Sequence, residues 1–245
     1  MPEIVEENDL FRVGYALPTR KIDAFMVEPF ISYARERGIV FIPVDVSKSL
    51  TNQGPYDCII HKLYGAEWEH NLEKFAANNP NATIIDPPSA IQRLHNRLTK
   101  GLELDPPMVL QQFVDHGGIM FKVYVAGDYV KCVKRSSLPD LSNETMEKMV
   151  LDSGGVMSFS KISSAVIDDG SNENIEMPPP EFLDEVAKGL RTALGLHLFN
   201  FDMIRDNKKD GYLVVDINYF PGYEKLPCYE SIMIDFFLNI KKSQA

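Results

Sequence analysis

The first hundred residues alternate short apolar runs with amphipathic segments, and this alternation restricts the fold more than any other feature of the sequence. The apolar runs predict strands over residues 11–17, 39–46, 57–63 and 83–86. Helical spacing of apolar residues predicts helices over residues 22–37, 66–77 and 89–99. Strands that are separated by helices form a parallel sheet with helices on both faces. The sequence therefore predicts a parallel α/β domain over residues 1–100.

After residue 100 the alternation gives way to β-hairpins. The sequence predicts a strand over residues 108–113, a hairpin of residues 119–125 and 129–134, and a second hairpin of residues 198–205 and 212–219. Helices are predicted over residues 180–194 and 229–241, and the Ser-, Asn-, Asp- and Gly-rich stretch 138–180 indicates mainly loop. We therefore predict an α/β protein whose second domain, residues 101–245, is α+β with antiparallel hairpins.

Composition excludes several classes of protein. With 44% apolar residues among 245, the chain can bury a large core and is not disordered or fibrous. The net charge of −10 argues against a general nucleic-acid binder, which needs a clustered basic surface. A signal peptide and a run of about 20 apolar residues are both missing, so a cytoplasmic or nuclear location is expected. Cys58, Cys132 and Cys228 lack metal-ligand spacing and are expected to be reduced core thiols.

The second hairpin gathers four polar side chains on one face. If the hairpin turns over residues 206–211 with facing residue numbers that sum to about 418, Asp202 lies opposite Asp216 and Asn200 opposite Asn218. Because side chains alternate along a strand, these four share one face and the opposite face is predicted to be core. The predicted core pairs are Phe199 with Tyr219, Phe201 with Ile217 and Met203 with Val215.

Two carboxylates that face each other repel unless a cation lies between them. Oxygen ligands from Asp202, Asp216 and Asn218 suit Mg²⁺, which keeps several waters and takes other ligands from phosphate. The simpler interpretation is that these residues only flank a surface turn. The following Pro221-Gly222 turn favours the metal site, because it presents backbone amides near the metal, where a phosphate can bind.

Several cations occupy positions that suit an anionic ligand. Lys21 follows the first predicted strand and Lys62 closes the third, so both lie at the carboxyl edge of the parallel sheet, where ligands of open α/β sheets bind. Lys122 lies on the polar face of its strand, after a loop that contains His116 and two glycines. Solvated surface positions are the simpler alternative for each of these residues.

Five stretches of the sequence resemble the inositol 1,3,4-trisphosphate 5/6-kinase family, whose members also act as inositol-tetrakisphosphate 1-kinases. They are HKLYGAEWE at residues 61–69, DPPSAIQRLHNR at 86–97, QQFVDHGGIMFKVYVAGD at 111–128, LGLHLFNFDMIRD at 194–206 and VVDINYFPGYEKLP at 214–227. The likeness covers nearly the whole chain and is closest to the plant form, and its last stretch is the most specific. The resemblance implies an ATP-grasp fold and transfer of the γ-phosphoryl group of ATP to an inositol polyphosphate, with Mg²⁺ as cofactor.

The resemblance also implies roles for individual residues. Those that match inositol-phosphate ligands are Lys21, Lys62, His116, Lys122, Asn218 and Gly222. Those that match ATP contacts are Arg97, Gln111, Gln112, Phe113, Lys122 and Ser137. The implied magnesium ligands are Asp202, Asp216 and Asn218, and the implied catalytic residues are Lys122 and Asp216.

One departure from the family bears on activity. Family members have a central segment, with a small sheet, an ATP-binding lysine and a glycine-bearing loop, between the positions that match Arg97 and Gln111. Here a short link joins the two positions. Without the ATP-binding lysine of that segment, phosphoryl transfer is expected to be slower. The alternatives are a non-catalytic inositol-phosphate-binding module, an ATP-grasp carboxylate–amine ligase, or a truncated fold that is unstable. We expect a monomer that binds neither nucleic acid nor membrane.

Overall fold

Two sheets form the framework of the protein, for which the computed structural model describes residues 10–95, 114–137, 176–209 and 211–244. The first sheet contains β1 (Phe11–Ala16), β2 (Ile39–Pro43), β3 (Cys58–His61) and β4 (Thr83–Ile85). Its strands are parallel and lie in the order β2-β1-β3-β4. The predicted parallel sheet is therefore confirmed, with β1 and β3 at its centre.

Helices connect these strands, as the alternating pattern predicts. They are α1 (Thr19–Phe25), α2 (Glu28–Glu36), a 3₁₀ turn (Leu50–Asn52), α3 (Ala66–Asn78) and α4 (Pro88–His95). The single helix predicted over residues 22–37 is wrong, because the chain becomes extended at Val27 (φ −81°, ψ 151°). Pro29 explains the break: it has no N–H, and its ring would clash with the carbonyl one turn earlier in a continuous helix. In the first turn of α2 the same residue is tolerated.

The second sheet is antiparallel and consists of two hairpins. Its strands are β5 (Ile119–Ala126), β6 (Tyr129–Ser136), β7 (Leu198–Asp206) and β8 (Gly211–Tyr219), in the order β6-β5-β7-β8. Two further helices are α5 (Pro180–Leu194) and α6 (Tyr229–Gln244). The predicted hairpins and helices are thus confirmed, whereas the strand predicted over residues 108–113 and most of the predicted loop lie outside the described residues.

The β7–β8 register agrees with the prediction at the polar pairs and departs from it nearer the turn. Asp202 faces Asp216, and Asn200 faces Asn218. Beyond this point the register shifts by one residue, so Met203 pairs with Val214 and the predicted partner Val215 is wrong. A bulge in β8 inserts one extra residue before the turn. Next to the turn, Asp206 pairs with Gly211, so the bulge accounts for the one-residue difference between the register at the turn and the predicted register at the polar pairs.

A shared apolar core joins the two sheets, and α6 makes part of the connection. Phe199 and Phe201 of β7 are fully buried, as predicted for this face of the hairpin. The ring of Phe237 on α6 packs edge-on against Phe41 of β2, with the ring centroids 5.3 Å apart. Near the end of α6, the Gln244 side chain donates a hydrogen bond to the Asp57 carbonyl at 3.0 Å. The last helix of the chain therefore lies against the first sheet.

The three cysteines are free thiols in different environments. Cys58 is buried in β3, and burial raises the pKa of its thiol. Cys132 is partly buried, which raises its pKa to about 11. Cys228 is exposed, so the prediction of a core position is wrong for this residue: it lies in the turn before α6, with φ 59°. Among the described helices, none is both long and apolar enough to cross a membrane.

Candidate functional site

A row of three charged side chains crosses the second sheet. Lys122 on β5 lies opposite Asp202 on β7, and Asp202 faces Asp216 on β8. The Lys122 Nζ donates a hydrogen bond of 2.7 Å to Asp202 Oδ1, and both side chains are largely buried. Lys122 therefore balances the charge of one of the two facing carboxylates, that of Asp202. Hairpin spacing gives no signal for this ion pair, because the pairing of β5 with β7 is non-local.

A second polar row lies beside the first and contains an unpartnered amide. Tyr124, Asn200 and Asn218 occupy neighbouring strands, two residues along from the charged row. Asn200 is only 1% exposed, and neither polar atom of its side chain has a hydrogen-bond partner among the described residues. A buried polar group without a partner costs about 1–3 kcal/mol. This row therefore has hydrogen-bonding capacity left for a water or a ligand.

The oxygen atoms of these two rows fit Mg²⁺. Asp202, Asp216 and Asn218 share one face as predicted, and the Asn218 amide donates a hydrogen bond to Asp216 Oδ2. Lys122 engages one oxygen of Asp202, which leaves the other for a metal, and both polar atoms of the Asn200 amide are without a partner. In the part of the chain that the structure describes, no group of three or more His, Cys, Asp or Glu residues could hold a metal. Any Mg²⁺ here would therefore need the Asn218 amide, water and phosphate oxygens.

The chain turns sharply after β8 into the β8–α6 loop, which we define as residues 220–228. Phe220 at its start has φ 41°, in the left-handed region. Tyr223 is fully buried, and its hydroxyl contacts the backbone carbonyls of Val125 and Phe199. Burial raises the pKa of this hydroxyl well above its usual value, so it remains protonated and able to donate. Tyr223 therefore fastens the loop to β5 and β7.

Lys21 on α1 and Lys62, which directly follows β3, meet on this loop. The Lys21 Nζ donates to the carbonyl of Pro221 at 2.5 Å and to Glu224 Oε2 at 3.2 Å. The Lys62 Nζ donates to the carbonyl of Phe220 at 3.0 Å. The two lysines were predicted separately as phosphate ligands. The structure brings them to the consecutive carbonyls of Phe220 and Pro221, directly after β8.

The environment of the two lysines lowers the pKa of both side chains. Burial lowers the pKa of Lys21 to about 8, and the positive charges of Lys62 and Lys225 act in the same direction. Burial also lowers the pKa of Lys62. In both cases the carboxylate of Glu224 opposes the shift. The Lys21 and Lys62 side chains therefore lie in a partly dehydrated environment, where the interaction of a positive charge with an anion is strong.

A buried hydrogen-bond network fixes the distance between the two sheets at this point. The Tyr219 hydroxyl accepts from the backbone N–H of Asp86 at 2.8 Å and donates to the carbonyl of His61 at 2.7 Å. The Asp86 carboxylate in turn accepts from the backbone N–H groups of His197, at 2.9 Å, and Leu198, at 3.0 Å. The sequence predicts Tyr219 as a core residue opposite Phe199 but gives no signal for this network, because the hydrogen-bond partners of Tyr219 and Asp86 come from distant parts of the chain.

The remaining candidates are placed as follows. His116 is buried in its own loop, with Nδ1 at 2.8 Å from the carbonyl of Val114. The backbone N–H of Ser137 donates to the carbonyl of Gly118 at 2.7 Å and so closes the open end of the β5–β6 hairpin. Gly222 lies in the β8–α6 loop between the partners of Lys21. The predicted ATP contacts that lie outside the described residues are Arg97, Gln111, Gln112 and Phe113.

Arg93, four residues before Arg97 in the sequence, has a structural partner. Its Nη1 donates to the carbonyl of Leu194 at 3.2 Å, at the carboxyl end of α5. A cation in this position satisfies a terminal helix carbonyl and interacts favourably with the helix dipole. Arg93 therefore joins α4 to α5.

Solved structures with the same arrangement define the class of protein. The chain superimposes on the macrocyclase MdnB from Microcystis aeruginosa with a TM-score of 0.55, at 13% identity over 93% of this chain and 99% of that one. It also superimposes on a Chryseobacterium gregarium RiPP-associated ATP-grasp ligase with a TM-score of 0.52, at 10% identity over 96% and 97% of the two chains. The fold is therefore that of the ATP-grasp proteins.

Sequence comparison narrows this class to one family. The ATP-grasp domain of inositol 1,3,4-trisphosphate 5/6-kinase matches residues 87–239, and the pre-ATP-grasp domain of the same kinase matches residues 12–91. This chain belongs to the inositol 1,3,4-trisphosphate 5/6-kinase family.

Two relatives illustrate the extent of the match. Inositol-tetrakisphosphate 1-kinase 2 of Glycine max is 37% identical over all of this chain and 99% of its own length. Inositol-tetrakisphosphate 1-kinase 1 of Arabidopsis thaliana is 38% identical over 98% of each chain. The alignment with the Glycine max protein has 317 positions against 245 residues here, so this chain has no residue at 72 of them. This difference agrees with the central segment that the sequence analysis found missing.

Proposed function

We propose that this chain is an ATP- and Mg²⁺-dependent kinase that phosphorylates inositol polyphosphates. The observation that supports the proposal most directly is the convergence of Lys21 and Lys62 on the loop that follows Asp216 and Asn218. Paired, partly buried lysines suit a substrate that carries several phosphates, and an adjacent acidic row suits a metal–nucleotide complex. Transfer of a phosphoryl group depends mainly on holding these two charged partners together.

On the substrate side, the lysines bind and orient the phosphorylated ring. Lys21 and Lys62 contribute charge from the first sheet, and Asn218 and Gly222 contact the substrate from β8 and its loop. His116 is proposed to contact the substrate from the β5 side. The Tyr219 hydroxyl holds Lys62 close to Asn218, because its hydrogen bond joins the end of β3, which precedes Lys62, to the end of β8.

On the nucleotide side, Asp202, Asp216 and Asn218 would hold Mg²⁺, which offsets the charge of the ATP phosphates when it is bound. Lys122 orients Asp202 through their ion pair and presents a positive charge to the transferred phosphoryl group. We propose that Lys122 and Asp216 are the catalytic residues. The proposed ATP contacts are Arg97, Gln111, Gln112, Phe113, Lys122 and Ser137.

Further proposals concern the organisation and location of the protein. We propose a substrate-binding domain over residues 1–100 and an ATP-grasp domain over residues 101–245. We also propose a monomer that acts in the cytoplasm or nucleus. Because the chain lacks 72 positions of its Glycine max relative, we expect turnover to be slow.

The test is an assay of the purified chain with ATP, Mg²⁺ and inositol 1,3,4-trisphosphate or an inositol tetrakisphosphate, with products separated by anion-exchange chromatography. We expect a product with one more phosphate, and a loss of about 10²–10³-fold in kcat for Asp216→Asn, which removes a negative charge that would hold Mg²⁺ beside the transferring group. Asp184→Asn, at an exposed position on α5, is the matched control and should leave kcat unchanged.

Calorimetry with the same inositol phosphates separates the remaining outcomes. Tight binding without product at any ATP concentration would contradict the kinase proposal and support a non-catalytic binding module. Absence of both binding and product would contradict both functions.

A further inference from the structure

The cationic site contains one acidic side chain in the place where a substrate phosphate is expected. Glu224 Oε2 lies 3.2 Å from the Lys21 Nζ, and the two side chains are 22% and 11% exposed. The Glu224 charge acts on Lys62 as well as on Lys21, since it favours the charged form of both. One carboxylate therefore serves as the shared counterion of the two lysines.

The β8–α6 loop leaves room for this carboxylate. Gly222 has φ −76°, which any residue adopts, so its backbone conformation does not require glycine. A Cβ at this position would lie 2.7 Å from Glu224 Oε1, closer than non-bonded atoms approach. The absence of a side chain at residue 222 thus permits Glu224 to turn back toward Lys21.

The contacts of the lysines indicate how a phosphate would enter. An ammonium group has three donors, and Lys21 directs them at one carbonyl and one carboxylate. The carbonyl of Pro221 is part of the backbone and stays in place, whereas the Glu224 side chain can rotate away. A phosphate monoester carries about −1.5 to −2 charges near neutral pH, against −1 for a carboxylate, and is the stronger partner for the lysines.

We propose that Glu224 is a resident counter-anion, which occupies the phosphate position at Lys21 in the free protein and selects for ligands anionic enough to displace it. This inference rests on the proposed function, because the ligand is the same inositol polyphosphate. Glu224 neutralises the lysines before the substrate arrives and keeps them in place. Ligands with a single phosphate, or with hydroxyl groups alone, compete poorly with a carboxylate that is already tethered.

The experiment measures binding of an inositol tetrakisphosphate by calorimetry, without ATP or Mg²⁺, at pH 6.5, where Lys21 is charged. For Glu224→Gln we expect Kd to fall about threefold to tenfold, because the competing charge is gone while the side chain keeps its shape. Binding of an inositol monophosphate should become measurable in the same variant. Glu73→Gln, exposed on α3, changes the net charge equally and should leave both affinities as they are.

Equal or weaker binding of both ligands by Glu224→Gln would overturn the inference and would assign Glu224 to the contact surface for substrate hydroxyls or to structural support. Glu224→Asp provides a second measurement if Glu224→Gln unfolds: the shorter carboxylate reaches Lys21 less well, so binding should be tighter than in the unmodified protein. If only the inference about Glu224 is wrong, the wild type still binds and phosphorylates the inositol phosphate. If the proposed function is wrong, the wild type does not bind it. If neither the wild type nor Glu224→Gln binds, both proposals are wrong.

Discussion

At the scale of single residues, the site depends on lysines that are charged but only partly hydrated. Burial disfavours the charged form of an amine, and Lys21 shows this with a pKa lowered from 10.5 to about 8. Below pH 8 the amine is charged in both the folded and the unfolded chain, and its burial reduces stability. As the pH rises from 8 toward 10.5, the folded protein releases the proton first, and that destabilisation disappears. The burial of Lys21 therefore reduces the stability of the fold at neutral pH, and an anion bound beside it would offset that cost.

The lowered pKa predicts that substrate affinity falls in mildly alkaline solution. At pH 9 about one tenth of Lys21 remains charged, so Kd for an inositol tetrakisphosphate should rise about tenfold between pH 7 and pH 9 if the charged form binds. Lys21→Arg should flatten this dependence, because a guanidinium stays charged throughout the range. Calorimetry at both pH values measures the change, and an equally steep dependence in Lys21→Arg would rule out Lys21 as its source.

At the scale of strands and helices, the sequence predicted what depends on neighbouring residues and missed what depends on distant ones. The pairing of Asp202 with Asp216 follows from a turn close in sequence, and it was predicted correctly. The bulge that shifts Met203 to Val214 is local too, but it leaves the apolar alternation nearly unchanged and could not be recognised. The ion pair of Lys122 with Asp202 required the position of β5 beside β7, which no local pattern specifies.

Two reciprocal contacts hold the ends of β3 and β8 together. They predict that removal of the Tyr219 hydroxyl lowers the stability of the protein. Tyr219 on β8 donates to the carbonyl of His61, and Lys62 donates back to the carbonyl of Phe220. Tyr219→Phe removes the first contact and leaves the buried N–H of Asp86 without its acceptor. We expect a loss of about 1–3 kcal/mol in the free energy of unfolding.

The same variant should also affect function, because Lys62 loses the constraint that positions it. We expect KM for the inositol phosphate to rise more than kcat falls, as Lys62 acts in substrate binding. Urea denaturation and steady-state kinetics provide the two measurements, with Tyr129→Phe, at an exposed position, as control. An unchanged KM in a destabilised Tyr219→Phe protein would show that the hydroxyl is structural only.

At the scale of the whole molecule, the candidate site lies between two sheets that would separate without specific connections. The half that contains the first sheet contributes the lysines, and the second sheet contributes the charged row, the neighbouring polar row and the β8–α6 loop. Asp86 links the sheets through the backbone of His197 and Leu198, and α6 returns to the first sheet through Phe237. Because the connections include both apolar packing and buried hydrogen bonds, the two sheets should unfold as one unit.

Phe237 allows this cooperativity to be tested. Its side chain is fully buried against Phe41, although it belongs to a helix that follows the second sheet. Phe237→Ala creates a cavity and should lower the free energy of unfolding by about 3–5 kcal/mol. Trp68, the only tryptophan of the chain, is buried on α3 in the helical layer of the first sheet. Its fluorescence therefore reports unfolding of the half that contains the first sheet, whereas far-ultraviolet circular dichroism reports unfolding of both halves.

For one cooperative unit, the fluorescence and dichroism transitions in urea coincide in the unmodified protein and move together in Phe237→Ala. Leu213→Ala, at a position 42% exposed on β8, is the matched control and should change stability by less than about 0.5 kcal/mol. A shift of the dichroism curve alone, with the Trp68 transition in place, would mean that the halves unfold independently. In that case the alignment of the lysines with Asp202 and Asp216 would depend on bound substrate, because the packing of α6 would not hold the two sheets together.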